Sequence, residues 1–366
     1  MEGLPRRHTL VNQTVSYLKA KIENRDWNDR LPCERRLAEM MHVSRNTLRS
    51  ALAQLRREGL VRSRQGSGNT ILKGSARSSR RLQARDVGLL APLPLLKLRP
   101  FHALWIDELR GLLNERSHRL HVFHDARCFG AYPGRALRQL TTVHGHAGWI
   151  LVMARENTLR WFKRSGLPTI VAGSTYPGIE IPFLDFSFRA ICRHAVGVLS
   201  RAGHTRIGLI SFRTNKLGVA AILEAEAGFN EGMQLSKRGT AAEGRICCHD
   251  TTLAGICSTV RRVMALPSRP TGLIVLNSQY FLTVAGQLQQ IGLEVPRDVS
   301  LICTDGDPFL NFVVRQPARY VCSPQTFAKG LLGQILGILE RGAAPRQSAL
   351  LMPEFIRGES IAEPGV

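Results

Sequence analysis

The chain has 366 residues, 44% hydrophobic and 21% charged; that is material for two or three globular domains and excludes a disordered or fibrous chain. Its net charge of +22 is unusual, and 19 Lys/Arg stand against 7 Asp/Glu within residues 1–85. Basic charge concentrated in this way is an electrostatic footprint for a polyanion.

Val11, Val15, Leu18 and Ile22 recur on one helical face and predict a first helix, ended by the polar run Asp26–Arg30. Pro32 precedes a second helix over Glu34–Met41, which buries Leu37 and Met41 and sets Glu34 at its positive end. Ser44 is a good N-cap for a third helix. Leu48, Ala51, Leu52 and Leu55 form its buried stripe, and its opposite side exposes Arg45, Asn46 and Arg49. Gly59 ends it in a left-handed cap. Val61–Arg64 and Thr70–Leu72 read as short strands joined by the glycine-punctuated turn Gln65–Asn69. Two short helices split by the turn Met41–Ser44, then a basic hairpin, are the layout of a winged helix-turn-helix, α with a small β wing. Its expected partner is double-stranded DNA.

Lys73–Arg85 (KGSARSSRRLQAR) is small, polar and basic, an expected linker between a domain at 1–72 and a larger one at 86–366. Past Asp86 the texture alternates. Strands are expected at Val87–Ala91, Leu120–Phe123, Trp149–Met153, Thr169–Ala172, Arg206–Ser211, Gly272–Leu276, Ser300–Thr304 and Ala349–Phe355. Helical patterns lie between most of them, including Phe101–Glu115, Arg189–Arg201 and Phe327–Glu340. Such alternation implies right-handed βαβ units and parallel sheets, and the number of units fits two α/β lobes.

The run LPCERRLAEMMHVSRNTLRSALAQLRREGLV, followed by RQGSGN, resembles the GntR-family DNA-binding head. That resemblance implies that Arg35, Ser44, Arg45, Thr47, Arg49 and Gly66 lie at the DNA, with Asn46 on the same face and Gln65 in the turn. Arg45 and Arg49, one turn apart, suit guanine edges in the major groove. Arg35 and Ser44 suit phosphates. Cys33 replaces the usual serine at the start of the second helix, which removes a capping hydroxyl.

VLSRAGHTRIGLIS, RPTGLIVLN and IGLEVPRDVSLICTDGDP resemble the LacI/GalR type of periplasmic-binding-protein-like sensor. The pairing of the two modules is similar to the arabinose-repressor-like subgroup. It implies two lobes with a small effector between them, and crossings near Asp185–Ser187, Asp307–Asn311 and Gly342–Ser348. It also implies a homodimer acting as a transcription regulator. Phe101, Asp185, Asn277 and Asp305 fall at expected effector positions, and Arg213, at a strand end, is a partner for an anionic ligand. Phe186, Ala225, Ser278 and Gly306 stand where the family pattern has Asn, Arg, Asp and a second acid. A monosaccharide would then lack partners for some hydroxyls. Two readings stay open: a regulator controlled by a small polar ligand, a sugar or sugar derivative, and a constitutive regulator whose large domain only dimerises or binds a protein.

No G-x-S-x-G, H-E-x-x-H or G-x-x-x-x-G-K-[ST] occurs, and no lysine stands in a Schiff-base context, so an enzyme is not expected. Eight cysteines without C-x-x-C spacing read as reduced thiols, with no metal or cofactor implied. The opening MEGLPRRHTL has no apolar signal core, and no stretch of ~18 apolar residues could cross a membrane. The expected location is cytoplasmic.

Overall fold

The computed structural model describes residues 10–23, 27, 30–41, 43–64, 68–71, 86–212, 219–236, 243–342 and 347–364. The expected linker, Gln65, Gly66 and Arg213 lie outside the described residues. The chain divides into two compact units, Met1–Leu82 and Gln83–Val366.

The smaller unit is a winged helix-turn-helix of α1 (Leu10–Glu23), α2 (Glu34–Met40), α3 (Arg45–Arg57), β1 (Val61–Arg64) and β2 (Gly68–Ile71). Leu18, Leu37, Leu48, Leu52 and Leu55 are fully buried in its core, so the predicted stripes meet one another. Strands β1 and β2 pair antiparallel, Val61 opposite Ile71. Leu31 N–H donates to Asn69 O at 2.9 Å and Arg30 bridges Thr70, which ties the segment before α2 to the wing. Gly59, at φ +72°, turns the chain from α3 into β1.

The larger unit holds two sheets of the same wiring. In the first lobe β3 (Val87–Ala91), β4 (Leu120–His124), β5 (Gly148–Val152), β6 (Thr169–Ala172), β7 (Phe183–Phe186) and β13 (Ala349–Leu351) run parallel in the order β13-β7-β6-β5-β3-β4. In the second, β8 (Arg206–Phe212), β9 (Glu243–His249), β10 (Gly272–Val275), β11 (Ser300–Cys303), β12 (Ala318–Val321) and β14 (Glu354–Ile356) follow the order β14-β12-β11-β10-β8-β9. There β14 alone pairs antiparallel, with β12. Helices α4 (Pro100–Asn114), α5 (Gly134–Val143) and α6 (Glu156–Ser165) cover the first sheet, and α7 (Phe188–Arg201), α8 (Val219–Ser236), α9 (Leu253–Met264) and α10 (Ser278–Gln290) the second. Helix α11 (Pro324–Arg341) returns to the first lobe, where Phe327, Leu331, Ile335 and Ile338 join its core.

Two expected crossings are corrected. The first falls as expected, at Ser187 between β7 and α7. The second is at Cys322–Ser323, between β12 and α11, not at Asp307–Asn311. That segment is a 3-10 turn of the second lobe, with Leu310 buried in its core. The third is at Met352–Pro353, not in Gly342–Ser348, because Ile338 before that range and Ala349 after it, opposite Leu184, both belong to the first lobe. The single strand expected over Ala349–Phe355 is therefore two, one per lobe, parted by Pro353, which cannot donate to a ladder.

Strands β7, β9 and β12 escaped the sequence reading. The first residues of β9 are exposed, as on an edge strand, and β12 carries a buried Arg319 held by Asn311 and Gln316. No helix among the described residues is long and apolar enough to cross a membrane.

Candidate functional site

Two surfaces carry the residues singled out by the sequence. The first is α3. Ser44 Oγ accepts from Thr47 N–H at 3.1 Å and bonds Thr47 Oγ1 at 2.8 Å, so both side chains are engaged in capping the helix. Cys33 starts α2 in an extended conformation, φ −58° and ψ 150°, with no side-chain cap. Arg35, Arg45, Asn46 and Arg49 are exposed. They differ in company. Arg45 has no ion pair among the described residues, whereas Arg49 Nε stands 3.3 Å from Glu34 Oε2 and Arg35 Nε 3.6 Å from Glu39 Oε1. Arg49 thus has its Nε engaged by Glu34, while its terminal guanidinium nitrogens stay available to an external acceptor.

The second surface is a cavity of about 300 Å³ between the lobes of the large unit. It lies off the carboxyl ends of the strands, the usual crevice in doubly wound sheets. Phe101, Asp185, Asn277 and Asp305 all face it, as do Phe186 and Ala225. Ser278 does not; its hydroxyl donates to Asp307 Oδ2 behind the wall. Asn277 caps α10, its Oδ1 accepting from Gln279 N–H at 2.8 Å, which leaves the amide NH₂ as a donor.

Arg99, unread in the sequence, dominates the electrostatics. It precedes α4 in the first lobe, and its guanidinium pairs with Asp305 of the second, with Nε 3.6 Å from Asp307 Oδ2. Asp307 Oδ1 also accepts the Phe101 N–H, at the start of α4, at 3.0 Å. Two bonds thus tie the lobes together across the cleft. Burial opposes the Arg99 charge, but Asp305 and Asp307 outweigh it and raise its pKa. Gly306 shows why the second family acid is absent: a Cβ there would stand 2.8 Å from Tyr320 O. Asp307, one residue on, stands behind the wall and accepts from Phe101 N–H and Ser278 Oγ.

Asp185 is deeply buried. Burial pushes its carboxyl up to about 6, against hydrogen bonds from Ser174 Oγ and the Phe186 N–H. Burial raises Asp305 too, opposed by Arg99. His102 Nδ1 receives the Trp105 Nε1–H at 3.2 Å, and burial with Arg99 nearby lowers its pKa to about 3, so it is neutral. Among the described residues no group of three or more His, Cys, Asp or Glu is arranged to hold a metal. Ring faces and aliphatic side chains make up most of the remaining wall.

The chain thus belongs to a class defined by its architecture: a winged helix-turn-helix followed in sequence by a two-lobed α/β domain with a cavity between its lobes. Residues 10–71 match the bacterial regulatory proteins of the gntR family, and residues 196–361 match the periplasmic binding protein-like domain. The chain is 27% identical over 230 residues to the HTH-type transcriptional regulator MalR of Streptomyces coelicolor, which covers 60% of this chain and 63% of that protein. It is 27% identical over 211 residues to the HTH-type transcriptional regulator reg1 of Streptomyces lividans, 55% of this chain and 58% of that one. It thus spans less than two thirds of the length of these relatives. Among solved structures, a LacI family transcriptional regulator from Enterococcus faecium with bound ribose shares the fold, at TM-score 0.61 and 15% identity, over 76% of this chain and 99% of that one. The chain joins a gntR-type helix-turn-helix domain to a periplasmic-binding-protein-like domain whose fold it shares with that LacI family structure.

Proposed function

We propose that this chain is a sequence-specific DNA-binding transcriptional regulator, a repressor, controlled by a small molecule bound between the lobes. The observation that carries the reading is an exposed Arg45, without an ion pair among the described residues, on the first turn of a capped α3, in a chain that also holds a cavity between two lobes. A helix of this kind enters the major groove with its N-terminal residues at base edges, and arginine is the commonest reader of guanine. The relatives named as transcriptional regulators, and the ribose held by a structure of the same fold, support both halves of the proposal.

Asp185, Asp305 and the Asn277 amide are the groups proposed to hold the ligand's polar end, with Phe101 an apolar wall. A carbohydrate, the ligand that the family resemblance favours, would pair its hydroxyls there. For control, the ligand must prefer one arrangement of the lobes, because only a difference in affinity between two states shifts their balance. We further propose a homodimer, since paired heads read paired half-sites.

The test is selection of duplexes from a random library by the purified chain, followed by fluorescence anisotropy on the enriched sequence. The reading requires an enriched motif with two half-sites and affinity well above that for a scrambled duplex. Sedimentation of a monomer at micromolar concentration would remove the dimer. Absence of any enriched motif would remove the DNA-reading function.

A further inference from the structure

The charge lining the cavity does not balance. Among the described residues its inner wall carries Asp185 and Asp305, with Asp307 directly behind, while the buried cation there is Arg99. Lys97 stands on the rim, exposed to solvent, and His102 is neutral. Arg99 pairs directly with Asp305 and Asp307 and reaches Asp185 only through its field, so the direct hydrogen-bond donors to Asp185 are neutral, Ser174 Oγ and a backbone N–H. Around these carboxylates stand the rings of Phe101, Phe186, Phe188, Phe212, Tyr280 and Phe327.

Building on the effector-cleft reading, we propose that the cavity takes an organic cation: a protonated amine or quaternary ammonium on an apolar or ring-bearing body. The positive group sits beside Asp185 and Asp305, and the body lies against the aromatic wall. Three physical arguments select this class. A carboxylate out of water needs an opposite charge far more than a hydroxyl partner, and a cation supplies what Arg99 cannot. Ring faces attract ammonium groups through their quadrupole, most strongly where water is excluded. A polyhydroxylated ring would press hydroxyls on Leu98, Met153, Ala225 and Leu276, which offer no partner. The net charge of +22 draws anions towards the molecule at long range. Inside the cavity, however, an anion would meet Asp185 at short range.

The test uses the full chain, with calorimetry and thermal shift against five probes: phenethylamine, choline, 2-phenylethanol, phenylacetate and D-ribose. The expected result is binding of at least one of the two amines. Phenethylamine should bind at least tenfold tighter than 2-phenylethanol, which has the same body without the charge. Asp185→Asn should remove that preference while the unliganded melting temperature stays close to wild type. If Asp185→Asn fails to fold, Phe188→Leu, which removes one ring face, should weaken amine binding several-fold. Failure of both amines overturns the cationic class. If D-ribose or phenylacetate binds in the same screen, the effector cleft survives that failure. Silence from all five probes counts against cleft and class together. Equal affinity for phenethylamine and 2-phenylethanol, unmoved by Asp185→Asn, also rejects the proposal.

Discussion

At the scale of single residues, the winged helix-turn-helix separates arginines that resemble one another in sequence. Arg45 is solvated, whereas Arg49 is held by Glu34 and Arg35 by Glu39. Arg45→Ala is expected to cost ~1–3 kcal/mol on the selected duplex and to relax base preference, while Arg35→Ala weakens selected and scrambled duplexes alike. Anisotropy on both duplexes checks this, and equal losses for the two variants would reject the division of roles. Cys33 already has the extended backbone of an N-cap but lacks a capping bond. Cys33→Ser should therefore stabilise the chain by up to about 1 kcal/mol, read as a rise in the melting transition. Arg45 was legible because its neighbours in sequence are its neighbours in space, with Ser44, Leu48 and Gly59 setting the helix that displays it. Arg99 was not. Its partner Asp305 lies 206 residues away, and nothing local to RPF announces a pair that only the meeting of two lobes creates.

At the scale of elements, the two lobes have different vulnerabilities. In the second, α7 and α8 approach so closely that a Cβ on Gly228 would stand 2.0 Å from Arg189 O. Gly232, one turn on, would place its Cβ 2.8 Å from Val196 Cβ. Neither backbone has room to yield without parting the helices. Gly228→Ala should destabilise by ~1–3 kcal/mol, an overpacking cost, measured by urea denaturation. Between the lobes, Arg99→Met keeps the aliphatic bulk but leaves Asp305 and Asp307 without their cation. Breaking one side of a buried pair should lose about 3 kcal/mol, and a denaturation midpoint equal to wild type would show that the pair does not bridge the lobes. Helices were well legible, because α5 and α7 follow clean apolar periodicities. Strands were less so. β12 places a charged Arg319 in mid-strand, and β13 and β14 occupy one continuous stretch that Pro353 divides between two sheets.

At the scale of the whole molecule, alternation of strand and helix revealed two parallel lobes, but not which strand end leads across. That depends on where the last helix finds its core, and α11 buries Phe327 and Leu331 in the first lobe. Burial on this scale also sets the response to acid. Burial holds His102 and His146 down to about 3 and His249 to about 4. Unfolded histidine titrates near 6.5. As pH falls from 6.5, the unfolded chain takes up protons that the folded one refuses, so stability drops progressively towards pH 3–4. Asp185 acts in the opposite sense: with its folded pKa raised to about 6, it adds stability as pH falls from 6 towards 4. Asp305, also raised by burial, acts in the same sense as Asp185, while His144, His194 and His204, lowered by burial, add to the three histidines above. Six histidines outweigh two carboxyls, so the chain should be clearly less stable at pH 5 than at pH 7.5. His146 is the best probe of the cause. Both its ring nitrogens are buried without a hydrogen-bond partner among the described residues, and the ring stacks on His121 at 4.9 Å and lies 5.1 Å from Trp149. His146→Phe keeps the ring and removes the proton, so it should be no less stable at pH 7.5 and should flatten the fall in urea midpoint between pH 7.5 and 5. An undiminished fall in that variant would place the acid sensitivity elsewhere, with His249 and His102 the next groups to replace.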